Sequence, residues 1–151
     1  MKKMLLMLML LLSMTATAQN VDELYEAGKA LYDAKEYAAA VEKLRPAAEK
    51  GHKKAQYRMG RCYDKGNGVE EDNGEAFKWY SKSADQGYYK AEYQLARAYM
   101  KGKGVAVDEK KAKTWVKRSV SGKKHGEEMM EAIKKGAAEG DKTDQKLLKL
   151  L

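Results

Sequence analysis

The stretch Gly66-Asn67-Gly68-Val69-Glu70-Glu71-Asp72 decides the fold, because the chain uses it twice. Its second copy, Gly102-Lys103-Gly104-Val105-Ala106-Val107-Asp108, begins 36 residues later and keeps both glycines and the final aspartate. The segments before and after each copy also match, in small, aromatic and polar residues at equivalent positions. A fixed period of this length over unlike residue types indicates one supersecondary unit that is used repeatedly.

The segments on either side of each copy have the apolar spacing of helices. Apolar residues recur every three or four positions, β-branched residues are few, and no alternating strand pattern appears. Pro46 lies inside one such segment and is expected to bend that helix rather than end it. The predicted class is all-α, with helices over about 21–32, 37–49, 54–65, 73–86, 90–101, 109–120 and 126–139.

The repeated glycines and aspartates have a structural explanation. Gly66, Gly68 and their counterparts suit backbone positions with positive φ. Asp72 and Asp108 each precede a helix, where a carboxylate can accept hydrogen bonds from free backbone amides. No Lys-Ser or Lys-Thr follows the glycines, so the loop lacks the signature of a phosphate-binding loop.

These motifs carry a resemblance to a known family. Residues 54–89 and 90–123 resemble Sel-one-like repeats, a branch of the tetratricopeptide-repeat superfamily with a longer, glycine-containing turn. Residues 22–53 resemble an ordinary tetratricopeptide unit, and residues 124–151 are expected to cap the array. The resemblance is carried in the first repeat by Ala55, Tyr57, Met59, Gly60, Tyr63, Gly66, Gly68, Val69, Asp72, Ala76, Trp79, Tyr80 and Ala84. Their counterparts are Ala91, Tyr93, Leu95, Ala96, Tyr99, Gly102, Gly104, Val105, Asp108, Ala112, Trp115 and Val120.

The resemblance implies a short right-handed α-α solenoid that acts as a non-enzymatic scaffold for protein or peptide partners. In such solenoids the first helix of each unit lines the concave face. Alignment of the units places three tyrosines in one row and three cations one helical turn further on, beside two more lysines. The candidate partner-binding residues are Tyr25, Lys29, Lys54, Tyr57, Arg61, Lys90, Tyr93 and Arg97.

Such a groove would suit an acidic peptide, because arginine and tyrosine donate hydrogen bonds to carboxylates and are enriched in interfaces. The competing interpretation is that the tyrosines are packing residues of the repeat and the cations are solvated. A homodimer formed edge to edge is a further alternative for so short an array.

Residues 1–18 have the pattern of a signal peptide. Lys2 and Lys3 precede an apolar run from Met4 to Leu12, and Ala16-Thr17-Ala18 forms a small-residue cleavage site before Gln19. We therefore expect a periplasmic or secreted protein, with the repeat domain over 19–151. The alternative is an uncleaved anchor.

The chain is basic, with a formal net charge of +8, and the excess lies toward its C-terminal half. Residues 101–126 contain nine Lys or Arg and two acidic residues, which suggests a polyanion-binding surface or a solvated face. Export makes a nucleic-acid partner unexpected.

Enzymatic signatures are weak. Ser121-Gly122-Lys123-Lys124 spells the S-x-x-K pattern of penicillin-recognising enzymes, but the companion Ser-Asp-Asn and Lys-Thr-Gly motifs are missing. Cys62 is the single cysteine, and His52 and His125 have no metal-ligand clusters beside them in the sequence. We therefore expect no catalytic, cofactor or metal site, with a cell-wall or β-lactam hydrolase as the alternative.

Overall fold

The computed structural model describes residues 20–151, and the predicted signal peptide lies outside that range. A first helix, α1, covers residues 20–33. The next helices are α2 (Tyr37–Glu49), α3 (Lys53–Lys65), α4 (Asn73–Asp85), α5 (Tyr89–Lys101), α6 (Glu109–Ser119), α7 (Lys123–Ala138) and α8 (Lys142–Leu150). No strand occurs within 20–151, which confirms the predicted all-α class.

Each helix from α2 to α6 packs on the next one along the chain, so the helix pairs stack into a solenoid. The helix bounds agree with the sequence pattern to within about a residue, except that α7 begins at Lys123 rather than Gly126. The backbone N–H of Gly126 donates to the Gly122 carbonyl at 2.6 Å, so the helical hydrogen bonds of α7 already begin at its cap, Gly122. Gly126 packs against the carbonyl group of Val120, where any side chain would collide, so it lets α7 cross close to the end of α6. Helix α2 continues through Pro46 to Glu49, so the proline does not end it.

The repeated loop fixes how one unit sits on the previous one. Gly68 and Gly104 have φ of 75° and 72°, in the left-handed region that favours glycine. A Cβ atom on Gly68 would collide with the Tyr37 carbonyl, and one on Gly104 with the Asn73 carbonyl. Because Tyr37 and Asn73 each begin the second helix of a unit, each loop docks on the start of the second helix of the unit before it.

The predicted caps are confirmed. Asp72 Oδ1 accepts a hydrogen bond from the Glu75 backbone N–H at 2.9 Å, and Asp108 Oδ1 accepts one from Lys111 at 2.9 Å. These contacts satisfy free amides in the first turns of α4 and α6. In both repeats, the loop therefore ends and the next helix begins at the equivalent residue.

The core lies between the helices of each pair and between neighbouring units. Its largest fully buried apolar side chains are Leu44, Met59, Leu95, Ile133, Leu147 and Val116. Gly28 faces Leu44 and Gly60 faces Tyr80, at positions where a Cβ atom would meet the larger side chain. Because these two glycines have no side chain, the two helices of each of these units can pack closely together. In the described part of the chain, no helix combines the length and the apolar character needed to cross a membrane.

The last two helices close the array. Helix α8 packs on α7, α5 and α6, and buries Leu147. Gln145 Nε2 donates to the Ala137 carbonyl at 3.0 Å, just as Gln56 Nε2 donates to the Ala48 carbonyl at 3.1 Å. Helix α8 is therefore built like the first helix of a unit.

Candidate functional site

One cleft runs along α3 and α5. Its volume is about 400 Å³, within the range of small-ligand pockets. Residues of α3, α4, α5 and the following loop surround it: Tyr57, Arg61, Asp64, Lys65, Asn73, Ala76, Phe77, Tyr80, Tyr93, Gln94, Arg97, Ala98, Lys101 and Lys103.

Four of the eight predicted partner-binding residues line this cleft, namely Tyr57, Arg61, Tyr93 and Arg97. All four come from α3 and α5, the first helices of the two glycine-loop units. The remaining four, Tyr25, Lys29, Lys54 and Lys90, lie outside it.

Each of these other four residues contacts side chains outside the cleft. Tyr25 is buried in the core and stacks on the His52 ring, with the ring centroids 4.3 Å apart. Lys54 Nζ lies 5.9 Å from the Tyr25 ring centroid. Lys29 pairs with Asp33 at 3.5 Å, and Lys90 Nζ lies 3.5 Å from a carboxylate oxygen of Glu128.

Tyrosines form one wall of the cleft. The Tyr57 ring lies 5.8 Å from the Tyr80 ring and 5.2 Å from the Tyr88 ring, centroid to centroid. The Arg61 guanidinium lies 5.4 Å from the ring centroid of Tyr32 in the preceding unit. Edge and cation–π contacts of this kind hold rings and guanidinium in defined positions.

The cleft is electropositive. Among residues 20–151, Asp64 is its only acidic lining residue, and the Asp64 carboxylate pairs with Lys103 at 2.6 Å and Lys65 at 3.4 Å. Burial opposes ionisation of Asp64, but the two lysines outweigh it and hold its pKa below the usual value. Within residues 20–151, neither Arg61 nor Lys101 has an acidic partner in ion-pair range.

Helix α8 binds the two predicted residues of α5, Tyr93 and Arg97. Tyr93 donates its hydroxyl hydrogen to Asp144 Oδ1 at 2.5 Å. Arg97 donates from Nη1 to the same oxygen at 2.5 Å and from Nη2 to Asp141 Oδ2 at 2.7 Å. Arg97 is therefore already neutralised by α8, whereas Arg61 has no such partner among residues 20–151.

Sequence reasoning missed the two aspartates. In the alignment of α8 with the other first helices, Asp144 falls where Ala55 and Ala91 are fully buried. An aspartate at a position where the two glycine-loop units have a buried alanine was the sequence signal that could have identified Asp144. Burial works against ionisation of Asp141, but hydrogen bonds from Arg97 and from the Asp144 and Thr143 amides hold its pKa well below the usual value.

The other candidates from the sequence lie apart from the cleft. Cys62 is fully buried, and burial raises its pKa to about 11, so the nucleophilic thiolate is scarce near neutral pH. Ser121 donates its hydroxyl hydrogen to the Arg118 carbonyl at 2.8 Å, in the exposed turn after α6. Over residues 20–151, no group of three His, Cys, Asp or Glu side chains could hold a metal ion.

Comparison with known proteins supports the repeat assignment. Residues 53–88 and 90–122 match the model of the Sel1 repeat. A Sel1 repeat protein from Oxalobacter formigenes is 32% identical with a TM-score of 0.63, over 74% of this chain and 47% of that protein. A protective antigen present in uropathogenic Escherichia coli strains, which displays the Sel1-like-repeat fold, is 30% identical with a TM-score of 0.67. That match covers 83% of this chain and 28% of the antigen.

The chain thus spans less than half the length of either solved protein. No curated protein matches it. Sel1-repeat proteins generally mediate protein–protein interactions. Two matched repeats, a continuous stack of helix pairs and the shared glycine loop lead to one conclusion: the chain contains two Sel1 repeats, at residues 53–88 and 90–122.

Proposed function

We propose that this protein is an interaction module that binds an acidic segment of another protein in the cleft between α3 and α5. The observation that carries the proposal is the half-buried guanidinium of Arg61, beside Tyr57 in an open cleft and without an acidic partner in residues 20–151. Partly buried charges in proteins are normally paired. A carboxylate from a partner would complete this one.

The chemistry of the cleft favours a carboxylate-bearing ligand. Arginine presents a planar set of N–H donors that matches a carboxylate, and hydrogen bonds to charged groups contribute about 1.5–3 kcal/mol. The Tyr57 hydroxyl has no hydrogen-bond partner in the described range and is a second donor beside it. Tyrosine rings add apolar contact area at small entropic cost.

A peptide selection tests this proposal. Random peptides displayed on phage are selected on the immobilised chain, and the enriched clones are then measured against the Arg61→Gln and Lys113→Gln variants. Lys113 is the matched control, because it is an exposed lysine of α6 that lies outside the cleft. We expect acidic clones that lose about tenfold in affinity with Arg61→Gln and none with Lys113→Gln. Enriched clones that bind both variants equally would contradict the proposal.

A second candidate is polyanion binding by the basic segment 101–126. Lys110, Lys113 and Lys117 on α6 are exposed and form no ion pair in the described part of the chain. Retention on heparin would then fall steeply with salt, and Lys113→Gln would weaken it more than Arg61→Gln. The reverse order would exclude this candidate.

We also propose that residues 1–18 direct export and are removed after Ala18. The supporting features are the two N-terminal lysines, the apolar run and the Ala-Thr-Ala site. Intact-mass measurement of the protein recovered from the exporting cell tests this. A mature chain that begins at Gln19 is expected, and one that retains the apolar run would contradict cleavage.

A further inference from the structure

The chain contains two equivalent tyrosine–arginine pairs, and only one of them is covered. Tyr57 and Arg61 on α3 correspond to Tyr93 and Arg97 on α5. Helix α8 supplies carboxylates to the second pair. In the first pair, neither the tyrosine hydroxyl nor the guanidinium has a hydrogen-bond partner among residues 20–151.

The way in which α8 covers the second pair is specific. Asp141 is the N-cap of α8 and accepts hydrogen bonds from the backbone amides of Thr143 at 2.8 Å and Asp144 at 3.1 Å. Asp144 lies three residues later, in the first turn. The two carboxylates of a single helical turn thus bind the two terminal nitrogens of one guanidinium, that of Arg97.

Packing holds the second carboxylate in place. Asp144 is only 4% exposed. Gly136 of α7 lies directly beside it, and a Cβ atom there would overlap Asp144 Oδ2. The α7–α8 pair therefore leaves just enough room for the carboxylate beside the Tyr93 hydroxyl.

We propose that the partner of the first pair binds in the same way, through a helix whose first turn carries two acidic residues spaced Asp-x-x-Asp. The N-cap carboxylate would accept from one terminal nitrogen of Arg61. The second carboxylate would accept from the other nitrogen and from the Tyr57 hydroxyl. This inference rests on the proposed function and specifies the ligand class for the same cleft.

Charge complementarity favours an acidic helix. The cleft around Arg61 also contains the cations Lys65, Lys101 and Lys103, and of these Lys101 has no acidic partner in the described range. The backbone amides at a helix start stabilise its own capping carboxylates, so a short Asp-x-x-Asp turn is pre-ordered when it arrives. Pre-ordering reduces the entropy lost on binding.

The test uses a synthetic peptide with the sequence of residues 140–151, extended by two Glu-Ala-Ala-Ala-Lys repeats that support the helix. A control peptide has asparagine at both aspartate positions, since asparagine still caps a helix but lacks the charge. Fluorescence anisotropy measures the binding of each labelled peptide to the full chain and to the Arg61→Gln and Lys113→Gln variants. Thermal unfolding checks that the variants fold.

We expect the aspartate peptide to bind at least about tenfold more tightly than the asparagine peptide, and Arg61→Gln to remove most of this difference. Lys113→Gln should leave it unchanged. Equal binding of the two peptides, or binding insensitive to Arg61, would overturn the inference. A labelled oligothymidylate measured in the same way tests for a nucleic-acid ligand. If its binding depends on Arg61 more strongly than binding of the aspartate peptide does, the inference is also overturned.

The outcomes separate this inference from the proposed function. If peptide selection yields clones that need Arg61 but lack paired acids at a helix start, the ligand class is wrong and the cleft remains the binding site. If neither the selected clones nor the aspartate peptide depends on Arg61, both proposals fail.

Discussion

Arg97 and Asp144 lie 47 residues apart in the sequence, yet the arginine donates a hydrogen bond to the aspartate at 2.5 Å. This contact ties the last repeat to α8. It also gives the two cleft arginines different roles. Arg97 stabilises the C-terminal end of the array, whereas Arg61 has no acidic partner in residues 20–151 and is the arginine that we propose binds a ligand.

The first prediction concerns this contact between Arg97 and Asp144. Asp144→Asn keeps the shape of the side chain but removes its charge, so we expect the free energy of unfolding to fall by about 2 kcal/mol. Urea unfolding followed by circular dichroism measures this. Glu139→Gln is the control, because Glu139 is exposed and its only ion pair within residues 20–151, to Lys135, spans 3.9 Å. A change of less than about 0.5 kcal/mol is expected there. Equal stabilities of the two variants would contradict the structural role of Asp144.

The second prediction follows from the lowered pKa of Asp141. Burial opposes its ionisation, but the Arg97 and backbone hydrogen bonds outweigh burial, so the folded pKa lies below the unfolded value of about 3.9. The stabilisation is therefore complete above that value and is lost as the pH falls through the folded pKa. Unfolding free energies between about pH 6 and pH 2.5 should drop more steeply for the natural chain than for Asp141→Asn. Parallel curves would show that Asp141 adds no pH-dependent stability.

The third prediction concerns the loop that joins the units. Gly104→Ala places a Cβ atom at a φ of 72° and against the Asn73 backbone, so we expect a loss of about 2 kcal/mol or more. Gly68→Ala should behave alike. Gly122→Ala is the control, since Gly122 has a φ of −82° and no atom near the added methyl group. Its cost should stay below about 1 kcal/mol, and thermal unfolding would reveal any reversal of this order.

The fourth prediction concerns the single thiol. Cys62 is fully buried with a pKa raised to about 11, so a thiol reagent should react with the native chain only as fast as the protein opens. Absorbance with a chromogenic disulfide at about pH 8 should therefore show slow labelling that becomes fast in urea. Rapid labelling of the native protein would mean that Cys62 is accessible.

Much of the fold could be predicted because its signals are local and repeated. The glycines at 66 and 102 and the caps at Asp72 and Asp108 act within a few residues of their positions in the chain. Two copies of each signal fix the register of the helices between them.

The site could be predicted only in part, because spacing does not determine which neighbour covers a side chain. Tyr25 and Tyr57 align, but Tyr25 is buried under the His52 ring, and Tyr57 remains partly open beside Tyr88. The partner of Arg97 lies 47 residues away in a helix that occurs once, so no repeat pattern could reveal it.

The central claim is that the cleft between α3 and α5 is the binding surface. A titration of the isotope-labelled chain with the aspartate peptide, followed by NMR, tests it most directly. We predict that the largest chemical-shift changes fall on Tyr57, Arg61, Gln94 and Lys101, which line the cleft. Changes confined to the lysines of α6, or to α8 alone, would contradict the account.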